Sequence, residues 1–475
     1  MVELKEPRPR QRKFAPRSRQ GCLTCRTRRK RCDGNRPECQ GCTRLNLKCQ
    51  WQTQRQIVPD PATPSSPASA VLNVTSPLLP SIFALSIKSW EEISGENADE
   101  ARYLLHYYQK AFVPSISVAD TPSSFYTSLY MPMALKSEKG LLDAIVALSS
   151  GQLARRSSDP DRARYLLDVS TRHQTRSHAF LRDRLSPSGQ PLTDASQVVG
   201  VILLLVGLEA LNGNKGTKWL SQMDCARKIL SDPHTQEQMS PWELDSLRRH
   251  FTYYDVMASV MAPVSKSYRF SPDRRYARLY QPGEGLTIDP LMGISDQLCS
   301  LVCRIQYMTT STPAFPHLCK AAFEAIERDI KQWKYENPLT SPELDLPVAL
   351  DLIALAEAYR LAALIQLYRT STSSKELIAD CASRAMQFIA RIPPGSPAES
   401  SLLYPILLAG AELRTEAEIS LCRERLTMIQ RRNHYENVAN LRDLLQEVWK
   451  PVLNGGEKRD WEEILREWDW SFSLA

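Results

Sequence analysis

The sequence predicts a small two-helix cluster domain followed by a large all-α domain. Three observations predict it. Six cysteines crowd into residues 22–49, and apolar residues recur at three- and four-residue intervals from about residue 98, without convincing alternating strands. Charge is also segregated: residues 1–55 balance to +12, the remaining 420 to −5. At 475 residues the chain has room for one small domain and one large one.

Cys22, Cys25, Cys32, Cys39, Cys42 and Cys49 write the same half-motif twice, as CLTCRTRRKRC and CQGCTRLNLKC. Structural zinc takes four ligands in a tetrahedron and favours thiolates. Six thiolates complete two tetrahedra only if two of them serve both metals. In the stretch, Leu23, Leu45 and Leu47 are the only aliphatic residues, so two Zn(II) ions are expected to nucleate the fold. Five of the six residues 26–31 are Arg or Lys, a dense positive charge for the short helix expected after the first CxxC. A zinc-built scaffold carrying a basic helix suits double-stranded DNA. A disulfide scaffold needs an oxidising compartment, and the opening MVELKEPRPRQRKF holds no apolar signal segment. A metal buffer would not need its charge in one half only.

This stretch resembles the fungal binuclear zinc cluster family of transcription factors, down to Asp33 after the third Cys and Pro37 in the connecting loop. The resemblance implies that Cys22 and Cys39 bridge the metals, and that Arg28 and Arg29 read bases, commonly in CGG triplets. Lys is common in relatives where this chain has Arg29; guanine preference is expected to survive, since Arg pairs with guanine O6 and N7. Arg26, Lys30 and Arg31 are candidates for phosphate contacts, joined by Arg44 and Lys48 from the second half. Pro37 is expected to fix the loop between halves, and Asp33-Gly34 to supply a turn beside it.

Residues 1–20 read as a disordered basic arm, suited to nuclear import or phosphate contact. The cluster domain occupies 21–52. Residues 53–97 read as a Pro/Ser-rich linker, with six prolines between 57 and 81 that exclude a coiled coil. A homodimer, if formed, would therefore use the helical body of 98–475.

In that body the periodicity predicts a helix over 99–113 that stops at Pro114, and others over 140–155, 160–185, 193–211, 218–230 and 241–261. Further helices are expected over 290–308, 321–333, 347–368, 375–392, 401–428 and 435–449. Val198–Leu208, the longest apolar run, falls short of the ~18 residues of a membrane span and reads as a core helix. GLLDAIVALSSGQLARR at 140–156, FTYYDVMAS at 251–259, DPLMGISDQLCSLVCRI at 289–305, EAYRLAALIQLYR at 357–369 and LLYPILLAGAEL at 402–413 are similar to the fungal-specific transcription factor domain of the second type. That resemblance implies a regulatory body; no small-molecule effector is readable from it.

The other cysteines, at 225, 299, 303, 319, 381 and 422, read as structural thiols, including the pair Cys299 and Cys303. HExxH and Gly-rich phosphate loops are absent, so no catalytic site is expected. The segment 460–475, DWEEILREWDWSFSLA, reads either as an acidic-aromatic activation segment or as a helix docking its tryptophans on the body. Together these readings give a zinc-nucleated two-helix cluster and an all-α regulatory domain. The expected function is a nuclear, sequence-specific regulator of RNA polymerase II transcription, working with DNA and transcriptional coregulators and without a membrane. The alternative is a zinc-stabilised protein-interaction or corepressor subunit that does not itself read DNA.

Overall fold

The structure is a computed structural model that describes residues 22, 25, 32–36, 39–43 and 49 of the N-terminal region. From Ala98 to Leu474 it describes all but 120, 122–123, 137–139, 186–191, 262–285, 312–315 and 372–373. The chain divides into two compact units, Met1–Ser76 and Pro77–Ala475. Helix α1 (Gln40–Thr43) belongs to the first. The second is built from helices, with no strand among the described residues.

Two helices organise the second unit, and composition explains both. Helix α8 (Ala195–Asn212, ASQVVGVILLLVGLEALN) is apolar on every side, which demands enclosure on every side. It packs against α6 (Gly140–Arg156), α7 (Pro160–Arg184), α9 (Lys218–Ser231), α11 (Pro241–Met261) and α18 (Glu436–Leu453). Its 18 residues are long and apolar enough to cross a membrane, with a mean hydropathy of 1.8, yet 89 % of them are buried inside the body. The run is longer than Val198–Leu208 because Asn212 and the first turn continue the helix. Helix α14 (Leu346–Tyr368) plays the same part downstream. It is covered by α12 (Asp296–Ser311), α13 (Pro316–Gln332), α15 (Lys375–Arg391) and α16 (Leu403–Gly410).

Helix ends follow local chemistry. The Asp159 side chain accepts from the backbone N–H groups of Asp161 and Arg162, with Pro160 in the first turn of α7. Ser240 and Glu243 exchange side chain-to-backbone bonds at the start of α11. Helix α9 is followed by the short α10 (Pro233–Glu237), capped by Asp232.

Three expectations are corrected. The first helix does not stop at Pro114: α2 (Ala98–Tyr107) widens into a π turn at Tyr108–Phe112 and resumes as α3 (Val113–Ile116). The Val113 N–H reaches back to the Tyr108 carbonyl, and the wider turn accommodates a proline that has no N–H to donate. Helix α12 starts at Asp296, not near 290. The Asp289 carboxylate instead accepts from Leu291 and Met292 N–H groups to fold a turn. The expected 401–428 helix is two, α16 and α17 (Glu416–Asn433), because Thr415 and Glu418 form a capping box that starts a new helix. Short helices α4 (Phe125–Ser128) and α5 (Tyr130–Lys136) had no counterpart in the periodicity.

The C-terminal segment is part of the core. Helix α19 (Trp461–Trp468) buries Trp461, Ile464 and Leu465, and the strap after it buries Phe472 and Leu474. Arg369, just past the end of α14, holds Asp460 at 2.9 Å and Glu462 at 3.0 Å. Farther along, Ser471 N–H donates to the Lys215 carbonyl at 2.7 Å, while Trp219 Nε1 donates to the Ser471 carbonyl at 3.2 Å. Asn437 Nδ2 donates to the Ser473 carbonyl at 3.0 Å. Of the two readings of this segment, docking is the one the structure displays.

His250 on α11 is fully buried beside Phe125, with Tyr130 Oη 2.6 Å from Nδ1 and Tyr126 Oη 3.4 Å from Nε2. Burial pushes its pKa down to about 3. The unfolded chain, with an ordinary histidine pKa of about 6.5, then binds one more proton between these values. This contribution to stability is therefore complete above about pH 6.5 and lost as pH falls toward 3, at up to about 1.4 kcal/mol per pH unit. Urea unfolding at pH 7 and pH 5 is expected to show the wild-type body losing about 2 kcal/mol more than a His250→Gln variant. Equal losses would mean that His250 is not buried in its neutral form.

Candidate zinc centre and nucleic-acid interface

The first unit is built around sulfur. Cys22, Cys25, Cys39 and Cys42 are at most 1 % exposed, Cys32 is buried and Cys49 half-buried. Local geometry follows the doubled spacing. In the first half, Cys25 N–H donates to Cys22 Sγ at 3.3 Å, as a chain turning back on its own CxxC requires. In the second half, α1 begins right after Cys39, and the Cys42 and Thr43 N–H groups both donate to the Cys39 carbonyl at 3.0 Å. The third cysteine of each half closes on the first by the same contact. Cys22 N–H meets Cys32 Sγ and Cys39 N–H meets Cys49 Sγ, each at 3.4 Å. The internal twofold implied by the sequence is thus present in the backbone.

The sulfur atoms form two groups of four. Those of Cys22, Cys25, Cys32 and Cys39 lie within 4.8 Å of one another, and so do those of Cys22, Cys39, Cys42 and Cys49. Cys22 and Cys39 are common to both. Cys22 Sγ is 3.6 Å from Cys39 Sγ and 3.7 Å from Cys42 Sγ, while Cys25 Sγ is 3.5 Å from Cys39 Sγ. A tetrahedron with Zn–S bonds of about 2.3 Å has edges of about 3.8 Å, so these separations fit zinc. They are far too long for a disulfide, whose S–S bond is about 2.05 Å. Burial pushes the thiols of Cys22, Cys25, Cys42 and Cys49 up. A divalent cation reverses that preference, because zinc binds the thiolate and displaces the proton.

One functional contact was not read from the sequence. Asp33 Oδ2 accepts from Gln40 N–H at 3.2 Å, tying the turn after the third cysteine to the start of α1. The sequence places Asp33 beside Gly34 in an expected turn; Gly34 takes φ +80°, a conformation in which a side chain is strained. The signal for the cap was a carboxylate poised before a short helix. Arg26, Arg28, Arg29, Lys30, Arg31, Pro37, Arg44 and Lys48 lie outside the described residues, as do the arm 1–20 and residues 53–97.

In the second unit Cys299 is buried, and Cys303 Sγ donates to Asp255 Oδ2 at 3.5 Å. The scattered cysteines at 225, 299, 303, 319, 381 and 422 carry no disulfide. Among the described residues, the groups with metal-ligand geometry are the two cysteine sets.

Comparison with known proteins agrees with both units. The profile of the fungal Zn(2)-Cys(6) binuclear cluster domain matches residues 20–57, and that of the fungal specific transcription factor domain matches residues 103–475. The chain belongs to the fungal zinc cluster transcription factors. Like them it binds two zinc ions, through the cluster domain, and it is not an enzyme. Among relatives of this family, the transcriptional activator protein UGA3 of Saccharomyces cerevisiae is 22 % identical over 96 % of this chain and 98 % of its own length. A transcriptional regulatory protein of Schizosaccharomyces pombe is 24 % identical over 97 % of each chain. The zinc cluster transcription factor CZF1 of Candida albicans is 66 % identical over 35 residues, 7 % of this chain and 9 % of that one. No solved structure matches the chain.

With so little apolar material, a zinc cluster domain has no fold to fall back on without metal. Titration of the purified chain with a strong chelator is expected to release two zinc ions per chain while far-ultraviolet circular dichroism retains the helical signal of the body. Release of fewer than two ions, or parallel melting of the body, would contradict two separately stabilised units.

Proposed function

We propose that this zinc cluster transcription factor binds duplex DNA directly and reads CGG-type triplets in the major groove, acting in the nucleus on RNA polymerase II genes. The observation that carries the reading is the pairing of a two-zinc scaffold, which orders a short segment without an apolar core, with five Arg or Lys among residues 26–31. In this reading Arg28 and Arg29 donate to guanine O6 and N7, and Arg26, Lys30, Arg31, Arg44 and Lys48 hold phosphates. Cys22 and Cys39 each bridge both metals, a role supported by their membership of both four-sulfur groups. Zinc supplies a fixed charge and a rigid cage; the protein residues do the recognition. Residues 1–20 would add a basic arm and 53–97 a spacer, with any homodimer formed through the body of 98–475. A full-length relative named as a transcriptional activator favours recruitment of coregulators over a purely architectural role.

Selection of bound sites from a randomised duplex library, using the zinc-loaded full-length chain, tests this. Enriched CGG-type triplets are expected, and one triplet or two at fixed separation distinguishes monomer from dimer. No enrichment with zinc and helices intact would transfer the cluster to the protein-interaction reading. Within a selected site, Arg29→Ala is expected to relax the preference at one base pair by about 1–3 kcal/mol. Arg26→Ala is expected to weaken all sequences evenly and lower the salt slope by about 1. Loss of only non-specific affinity in both variants would remove Arg29 from base reading. For the metals, Cys22→Ala is expected to lose both zinc ions together, whereas Cys25→Ala leaves one; identical stoichiometry in the two variants would refute bridging at Cys22.

A further inference from the structure

The second unit holds a cavity of about 50 Å³ where α8, α11, α17 and the start of α18 meet. That is room for several waters, or for a polar molecule of a few heavy atoms. Tyr126, Tyr253, Tyr254, Tyr435 and Asn433 line it, and Glu399 stands in its wall. Burial raises the pKa of each of the four tyrosines, so the phenols are neutral and able both to donate and to accept. Gly207 opens the space: a Cβ there would come within 2.9 Å of the Tyr254 hydroxyl.

Glu399 in the wall is balanced by Arg425, which does not itself line the cavity, and the pair is poorly bonded. Glu399 is fully buried, its Oε2 accepting from the Gly395 N–H at 3.0 Å. Its Oε1 lies 3.4 Å from Arg425 Nη2 without a hydrogen bond, and Arg425 Nε and Nη2, equally buried, donate none. The Glu399 Oε1 in the wall is a buried acceptor that a hydroxyl or amide donor would satisfy. An anion would meet the Glu399 carboxylate, and a cation would bring a charge into a low-dielectric site whose one carboxylate is already balanced by Arg425. We propose that this cavity binds a small uncharged molecule bearing hydroxyl or amide groups, held by the tyrosine hydroxyls and Asn433. Its walls come from residues as distant in sequence as Tyr126 and Val438. An occupant therefore bears on the packing of both halves of the body at once, which is the position an effector of a regulatory domain needs. That regulatory role rests on the transcription-factor reading; the binding does not.

Saturation-transfer NMR on the zinc-loaded full chain would use 1,2-propanediol as the neutral probe, with propylammonium and propionate as charged molecules of the same size. Saturable propanediol binding is expected, with both charged probes at least about tenfold weaker. Gly207→Ala is expected to weaken the neutral probe about tenfold and Tyr435→Phe several-fold, as loss of one hydrogen bond does. Should Gly207→Ala fail to fold, Tyr435→Phe alone decides. No saturable binding, a charged probe binding as tightly as the diol, or unchanged affinity in Tyr435→Phe would overturn the proposal. Diol binding with no site enrichment in the duplex selection would keep the cavity and sink the DNA-reading function; the reverse pair of results would do the opposite.

Discussion

A helix with no polar face has to be enclosed completely, and that constraint shapes the body. Every side of α8 left in water would forfeit about 25 cal/mol for each Å² of apolar surface. The chain meets the demand by recruiting segments from residue 140 to residue 453, so the core cannot close until distant parts of the sequence have come together. Charged residues that enter this interior bring a counter-charge, as Arg227 meets Asp255 at 2.7 Å. An unpaired charge there would cost far more than such a pair returns.

The first unit solves the same problem by opposite means. It lacks the residues to bury and concentrates sulfur instead, with the buried thiols of Cys22, Cys25, Cys42 and Cys49 resisting ionisation until divalent metal is present. Metal coordination is strong, short-ranged and indifferent to side-chain volume. The residues between the ligands are therefore released from core duty, which leaves five of the six residues between Cys25 and Cys32 free to be Arg or Lys. Stability and recognition are carried by different atoms, and neither restricts the other.

The cysteine cluster was legible because its chemistry is written in spacing alone, and the structure gathers all six sulfurs. Helix α11 was legible at both ends because Ser240, Pro241 and Glu243 mark its start and the apolar pattern runs unbroken to Met261. Local chemistry defeated the pattern elsewhere. Asp289 folds the apolar residues Leu291 and Met292 into a turn that periodicity reads as helix. Thr415 caps a new helix inside a stretch that reads as one, and Pro114 is absorbed by a π turn that only tertiary packing rewards. The tyrosine-lined cavity had no linear signature, since Tyr126, Gly207, Tyr253, Glu399 and Tyr435 become neighbours only through the fold.

The strap that carries Ser471, Phe472 and Ser473 is bonded to Lys215, Trp219 and Asn437, and its anchor Asp460 to Arg369. Residues about 250 positions apart thus share one seam. In genetic terms, an allele with a premature stop or frameshift past residue 455 does not encode a shortened version of this regulator. It encodes a body with an open seam, exposing Trp219 and Asn437 to solvent and to quality control. Such alleles belong phenotypically with deletions of the whole body, and a screen for constitutive or partial-function truncations has little to recover from this stretch.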